Sequence, residues 1–409
     1  MTDDKRQPMK SDKIMEKADR LMATTYSRVP IVVTEGKGCM LKDAEGRTYT
    51  DFVAGIAVCS LGHAHEGIAE AVADQARRLV HVSNLYYTEP QIELAQLLIE
   101  HCFADRVFFC NSGAEANEAA IKLARKYFKD RQTPQKFRII TMEDSFHGRT
   151  MATLAATGQA KIRKGFDPLL DGFDIVPFND LEAVRKAVTK ETCAVMLEPI
   201  QGEGGVQCPA QGYLPGLREL CDRQGLLLIF DEVQTGMGRT GRLFAHEHFG
   251  MEPDIMTLAK ALANGLPMGA MLAKEEVAKA FTPGSHASTF GGTPLVSAAA
   301  VKVVKTLLDE GVLENCKRVG QYFRARLLGL KEKYDFVSEV RGKGLMIGLD
   351  LTCNGVPIVK GCMERGFLIN CTQDHVLRFV PPLIIQEKEI DPLIACLDAL
   401  FAEMTDSKP

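Results

Sequence analysis

One lysine, Lys260, follows the apolar run Ile255–Leu258. Ala259, Ala261 and Ala263 surround it, and a turn signal, Asn264-Gly265 then Pro267, comes after it. Burial disfavours a lysine's ammonium form, and the neutral amine is a nucleophile able to form a Schiff base with a carbonyl. Taken alone, the pattern suits a surface lysine at a strand end equally well. A second apolar run, Leu226–Phe230, ends in Asp231 and Glu232, followed by Val233 and Gln234. A carboxylate at the carboxyl end of such a strand can keep a pyridine nitrogen protonated, as a pyridoxal ring requires. A third run, Val107–Cys110, leads into Ser112-Gly113-Ala114, where a helix opens. Free backbone N–H groups, a glycine that admits close approach and the Ser112 hydroxyl make a phosphate cradle there. Each of these is also an ordinary capped turn. Together the three are far more specific than any one alone.

Two loops add to them. In Asp144-Ser-Phe-His-Gly-Arg-Thr150, Phe146 can stack on a flat ring and Arg149 can clamp a carboxylate through two hydrogen bonds. In His286-Ala-Ser-Thr-Phe-Gly-Gly292, Ser288 and Thr289 precede a glycine pair, which makes either a second anion-binding loop or a plain turn. The pairs His63/His65 and His246/His248 have no cysteine or carboxylate cluster at metal spacing, so they read as structural and no metal is expected. There is no Gly-x-Ser-x-Gly elbow for a serine nucleophile and no Gly-x-Gly-x-x-Gly dinucleotide fingerprint.

Composition narrows the class. Apolar residues make up 46% and charged residues 25% of the 409 positions, the balance of a globular protein with a large core. A net charge of -4 with both signs dispersed leaves no electrostatic footprint for nucleic acid or membrane. Twelve cysteines without a Cys-x-x-Cys pair argue against a zinc or redox motif. The amino-terminal residues show no apolar signal-peptide core. These points lead us to expect a cytoplasmic protein with reduced thiols.

The elements that must position the chemistry follow from periodicity. Residues 1–10 read as a disordered polar tail. Ile14, Met15, Ala18, Leu21 and Met22 then fall at helical spacing, and a hairpin is expected around Asp43-Ala-Glu-Gly46. Seven short apolar runs follow: Val107–Cys110, Arg138–Met142, Ile175–Phe178, Ala194–Leu197, Leu226–Phe230, Ile255–Leu258 and Ala270–Ala273. Helical stretches such as Ala114–Phe128 and Gly212–Gln224 alternate with them, which predicts an α/β fold with a mainly parallel seven-stranded sheet. A long helix over Pro294–Glu310 is expected to lead into a smaller α+β domain. The predicted division is 61–310 for the large domain and 311–409 for the small one, with the segment 11–60 belonging to the small domain.

On these residues the chain resembles the class III pyridoxal-phosphate-dependent aminotransferases, and within them the acetylornithine branch. The similarity runs from about Thr25 to Phe401. It rests on Asp51-Phe-Val-Ala-Gly-Ile-Ala-Val58, Asn111-Ser-Gly-Ala-Glu-Ala-Asn-Glu-Ala119, Phe146-His-Gly-Arg-Thr150, Glu198-Pro-Ile-Gln-Gly-Glu-Gly-Gly205, Asp231-Glu-Val-Gln-Thr-Gly-Met-Gly-Arg-Thr-Gly241, the Lys260 stretch and Ser288-Thr-Phe-Gly-Gly292. The resemblance implies fold type I and pyridoxal 5'-phosphate. Lys260 would carry the cofactor as a Schiff base. Asp231 would pair with its ring nitrogen and Gln234 with its phenolic oxygen, with Glu232 and Val233 beside them. Ser112, Gly113 and Ala114 would hold the phosphate, and Phe146 would stack on the ring. Thr289 would reach the phosphate of a neighbouring subunit, which implies a homodimer. Arg149, with Ser288 nearby, would hold a substrate carboxylate, and Tyr26 would meet the donor. Glu203 and Arg378 would form a pair that opens when a dicarboxylic substrate needs the arginine.

The implied reaction moves the terminal amine of N2-acetyl-L-ornithine to 2-oxoglutarate, as in arginine biosynthesis. Ile56 stands where ornithine aminotransferases carry a tyrosine, which disfavours plain ornithine. Succinylornithine, succinyldiaminopimelate and 4-aminobutyrate stay open as donors. The Glu203/Arg378 pair argues against an aminomutase, and an intact Lys260, Asp231 and Arg149 argue against a non-catalytic binding protein.

Overall fold

The computed structural model describes residues 10–406, so the expected tail lies, save for Lys10, outside the described residues. A helix over Lys10–Leu21 opens the described chain, but its apolar stripe has no core beneath it in one chain. Ser11 is buried, whereas Ile14, Leu21 and Met22 are exposed. An antiparallel meander follows, β1 (Val33–Lys37), β2 (Met40–Asp43) and β3 (Thr48–Asp51). Its second turn is tied by Asp43 Oδ1, which accepts the N–H groups of Glu45 and Arg47 at 3.0 and 2.8 Å.

The central sheet has seven strands: β4 (Arg106–Cys110), β5 (Arg138–Met142), β6 (Phe173–Val176), β7 (Thr192–Leu197), β8 (Leu227–Asp231), β9 (Ile255–Leu258) and β10 (Gly269–Ala273). Their spatial order is β4-β10-β9-β8-β7-β5-β6. Only β10 runs against its neighbours; the pairs from β9 through β8, β7 and β5 to β6 are parallel. Both faces are apolar, as two-sided burial demands. Ile139, Ala194 and Ile229 pack towards the helix Gly113–Asp130, and their sequence neighbours Ile140, Val195 and Leu228 face Leu214 and Leu217 of the helix Tyr213–Gln224. Each fully buried aliphatic side chain of this kind contributes about 1.5–3 kcal/mol. β6 starts two residues earlier than its apolar run suggests. As an edge strand it accommodates Asp174, which pairs with Arg138 at 2.6 Å.

Helices Pro294–Asp309 and Val312–Lys333 lead to β11 (Val337–Lys343) and β12 (Met346–Leu351). The helix Val356–Glu364 comes next, then β13 (Phe367–Leu368), β14 (Asn370–Thr372), β15 (Val376–Phe379) and the helix Glu387–Asp406. β11-β12-β15-β14 form an antiparallel sheet. β13 leaves that sheet and pairs with β3, which joins the carboxy-terminal part of the chain to the amino-terminal meander.

Candidate active site

Because β10 is antiparallel to both β4 and β9, β4 runs with the parallel strands. The carboxyl ends of β4, β5, β7, β8 and β9 therefore share one edge of the sheet, where ligands of open α/β sheets bind. A cavity of about 410 Å³ opens there. It gathers Ser112, Gly113, Ala114, Phe146, Arg149, Glu203, Asp231, Val233, Gln234 and Lys260 from segments far apart in sequence.

Asp231 forms the floor. Its Oδ2 accepts hydrogen bonds from Asn117 Nδ2 at 2.7 Å and pairs with His147 Nδ1 at 2.8 Å, and its Oδ1 accepts the Val233 N–H at 3.0 Å. Asn117 in turn donates to the His147 carbonyl and accepts from Thr257 Oγ1, each at 2.7 Å. A carboxylate offers about four acceptor positions. Three are filled by the protein, which leaves room for one N–H from a ligand. All four members of this network are buried.

The Lys260 amine lines the same cavity. Burial lowers its pKa from the ordinary lysine value and Arg378 adds to this, while Glu203, Asp231 and Glu198 oppose it. Its backbone φ of +46° lies in the left-handed region, which costs a non-glycine residue about 1–3 kcal/mol and is typical of functional sites. The turn behind it is fastened by Asn264. That side chain accepts the Leu61 N–H at 2.8 Å and donates to the Gly62 carbonyl at 3.1 Å.

This fastening reaches an unusual segment. Ala54, Gly55, Ile56 and Ala57 have φ values of +50°, +67°, +66° and +60°, a run of left-handed backbone that disfavours each L-residue by about 1–2 kcal/mol. Asp51 supports it, since its Oδ1 accepts the N–H groups of Val53 and Ala54 at 2.8 and 2.9 Å. The other oxygen of Asp51 meets His63 Nε2 at 2.7 Å, and the His63 pKa is raised to about 9, chiefly by that contact.

At the far wall, Arg378 is buried and its Nη1 donates to Glu203 Oε1 at 2.6 Å and to Gln234 Oε1 at 3.4 Å. Burial pushes the Glu203 pKa up, but Arg378 and Lys260 outweigh it and the net shift is downward, so the pair stays charged. At the mouth, the Arg149 guanidinium lies 5.6 Å from the Phe146 ring centre.

The structure moves one expected residue out of the set. Glu232 points away from the cavity: its carboxylate accepts the N–H groups of Ala245 and His246 at 2.6 and 2.9 Å and caps the short helix Ala245–Phe249. Its neighbour Asp231 takes the cavity side because adjacent side chains at a strand end point to opposite faces. Three other expected residues stand outside the cavity within one chain. Ser288 and Thr289 line a separate hollow with Asn84 and Phe108, and Ser288 Oγ closes its own turn on the Gly291 N–H. Tyr26 is 73% exposed, beside Arg28.

Three cavity residues were not anticipated. His147 and Asn117 hold Asp231. Glu198, its pKa raised to about 7 by burial, accepts the N–H groups of Phe146 and Gly202, each at 3.0 Å. Asn117 lies four residues after Gly113, one turn along the same helix face, and that spacing was the available signal. Glu198 directly follows the apolar run Ala194–Leu197, the same strand-end signal that marked Asp231, and His147 lies between Phe146 and Arg149 in a stretch already singled out; neither was given a role.

The residues fit pyridoxal phosphate. The helix start at Ser112 exposes backbone N–H groups to the cavity, and Gly113 is pressed so closely on Val233 that a Cβ there would lie 2.7 Å from Val233 Cγ1. The helix start expected to cradle a phosphate and the loop bearing Asp231 thus touch, and Lys260 opens on the same space.

Comparison with known proteins agrees with this geometry. A family model, aminotransferase class-III, matches residues 21–401. Acetylornithine aminotransferase of Methanocaldococcus jannaschii is 54% identical over 383 residues, covering 93% of this chain and 95% of that protein. Among solved structures, N-acetylornithine aminotransferase from Stenotrophomonas maltophilia K279a superposes with a TM-score of 0.83 at 37% identity, over 96% of this chain and 100% of that one. Ornithine aminotransferase from Toxoplasma gondii, crystallized with oxidized glutathione and described with partial occupancy of PLP at its active site, gives 0.93 at 33% identity over 97% of this chain and 95% of that chain.

Proposed function

The chain belongs to the class-III aminotransferase family, and from that membership we propose that it moves the terminal amino group of N2-acetyl-L-ornithine to 2-oxoglutarate, giving N-acetyl-L-glutamate 5-semialdehyde and L-glutamate. The observation that carries this reading is the buried Arg378–Glu203 pair in the wall of the cavity that Lys260 and Asp231 share. A cation masked by its own carboxylate presents a neutral wall to the acylated donor and a free guanidinium to the second carboxylate of 2-oxoglutarate. Pairs of this kind trade a charge-assisted hydrogen bond for another of similar strength.

Pyridoxal phosphate, when bound, supplies the carbonyl and the electron sink of transamination. Ser112, Gly113 and Ala114 would hold its phosphate, Asp231 its ring nitrogen, Gln234 its phenolic oxygen and Phe146 its face. Asn117 and His147 hold the Asp231 carboxylate in place by hydrogen-bonding one of its oxygens. Lys260 Nζ, with its depressed pKa, would take a proton from the substrate carbon as general base and deliver it away from that carbon as general acid. Arg149 at the mouth binds the substrate carboxylate. Similarity to relatives named for acetylornithine supports that donor over succinylornithine, ornithine and 4-aminobutyrate.

The test is a half-reaction. N-acetylornithine alone should bleach the visible absorbance of the holoenzyme, and 2-oxoglutarate should restore it, with ping-pong kinetics. A kcat/KM for ornithine or 4-aminobutyrate above that for N-acetylornithine would overturn the donor assignment.

The same reading makes the protein a homodimer in which the partner's loop around Ser288 and Thr289 completes each site. The exposed apolar residues Tyr26, Leu85, Tyr87 and Phe290 support it. It also keeps residues 61–310 as the cofactor-binding unit, with 11–60 and 311–409 as a smaller one, a division supported by the pairing of β3 with β13. A cytoplasmic site of action fits a chain in which, among the described residues, no helix is long and apolar enough to cross a membrane.

A further inference from the structure

Away from the active site, the helices Val356–Glu364 and Glu387–Asp406 pack closely through Gly361, where a Cβ would come within 2.6 Å of Leu400 Cδ2. The close approach brings Cys362 Sγ to 3.9 Å from Cys396 Sγ. Neither thiol has a part in the cavity chemistry, and both are free. We infer that Cys362 and Cys396 are a redox modification site, a dithiol that a peroxide converts to a reversible disulfide between the two helices.

The geometry supports each step. Sulfur–sulfur contact leaves roughly 2 Å to close to bonding distance, between two helices already held together at Gly361. Cys396 sits nearer the surface, 7% exposed against 0% for Cys362. The Cys362 thiol hydrogen-bonded to it lowers the Cys396 pKa and Arg365 adds to this, against burial and Glu403, which pairs with Arg365 at 2.7 Å. The pair therefore has an attacking and a resolving member.

The Cys396 thiolate attacks one oxygen of hydrogen peroxide. An S–O bond forms, the O–O bond breaks, and the departing hydroxide takes a proton to become water. Cys362 Sγ, giving up its proton, then attacks the Cys396 sulfenic sulfur. The S–S bond forms, the S–O bond breaks, and the leaving hydroxide carries the Cys362 proton away as a second water. Two thiols are oxidised and one peroxide is reduced.

The experiment exposes the full-length holoenzyme to graded hydrogen peroxide, counts free thiols, and maps linked peptides by mass spectrometry before and after dithiothreitol. The expected result is loss of two thiols and of two hydrogens in mass, a peptide pair joining Cys362 to Cys396, and full reversal by the reductant. In Cys362→Ser, dimedone should trap a sulfenic acid at Cys396, and in Cys396→Ser no such label should appear at Cys362. Retention of all thiols by the wild-type chain, a link between other cysteines, or direct passage of Cys396 to an unlinked sulfinic acid would each overturn the inference. The wild-type mapping stands even if a variant fails to fold.

Discussion

The floor and the rim of the cavity are built on opposite plans. The floor around Asp231, His147, Asn117 and Thr257 is buried, closed by short hydrogen bonds, and complete within one chain. Of the residues expected to meet the donor or a neighbouring site, Tyr26 and Thr289 are exposed, and Ser288 touches the cavity only through Asn111, whose Nδ2 donates to its Oγ at 3.3 Å. Activation of a ring requires fixed dipoles at fixed distances, and a dry, fully bonded network supplies them. The floor is placed where the fold is most over-determined, and the residues proposed to meet the donor are not.

Substitutions separate the two plans. Lys260→Ala should lower turnover by at least 10²–10⁴-fold, of the order expected for loss of a general base, with an unchanged thermal midpoint; measurable turnover near the wild-type rate would break the proposed role of Lys260. Arg378→Ala should cost about 10–100-fold in kcat/KM for 2-oxoglutarate, the worth of a charged hydrogen bond of ~1.5–3 kcal/mol. Single-turnover kinetics with N-acetylornithine should stay near wild type, and equal loss in both half-reactions would place Arg378 in general structure instead. His147→Ala leaves a buried acceptor oxygen under-bonded, a loss of about 1–3 kcal/mol, read as a lower thermal midpoint together with weaker cofactor retention.

The support beneath the left-handed run makes a pH prediction. His63 is raised from 6.5 to about 9 by Asp51. Its contribution to stability is therefore fully present below pH 6.5 and is lost as pH rises through about 9. Thermal midpoints measured across that window should fall with pH, and His63→Ala should flatten the dependence. The smallest effect belongs to the rim: Tyr26→Ala should leave stability within ~0.5 kcal/mol, as for an exposed site, while raising the KM for N-acetylornithine a few-fold. An unchanged KM would remove Tyr26 from donor binding.

Much of the floor could be read from sequence because strand ends announce themselves. Apolar runs leading to Asp231, to Lys260 and to Ser112 marked the sheet edge, and all seven central strands lie within two residues of their apolar runs at both ends. Their neighbours were harder. The strand ends locate Asp231 but not the partners that fix its orientation, so Asn117 on a helix and His147 in a loop escaped notice, and Glu232 was drawn in by adjacency alone. β11, β13 and β14 are short or mixed in character and take their conformation from the strands they pair with. The helix Lys10–Leu21 shows the opposite limit. Its periodicity is correct and its apolar face has nothing to bury against in a single chain, because pattern specifies a face and not its partner.

The reversed strand β10 also sets an order of manufacture. During synthesis β5, β6, β7 and β8 leave the ribosome with parallel partners arriving in turn, but β4 emerges first and bonds to β10 alone. The helix bearing the phosphate cradle must wait, attached to an unpaired strand, until residues 269–273 have been translated. Lys260 comes out immediately before them. The last stretch to close the sheet thus delivers the lysine, and a nascent chain stalled upstream has neither a finished edge nor the residue proposed to anchor the cofactor.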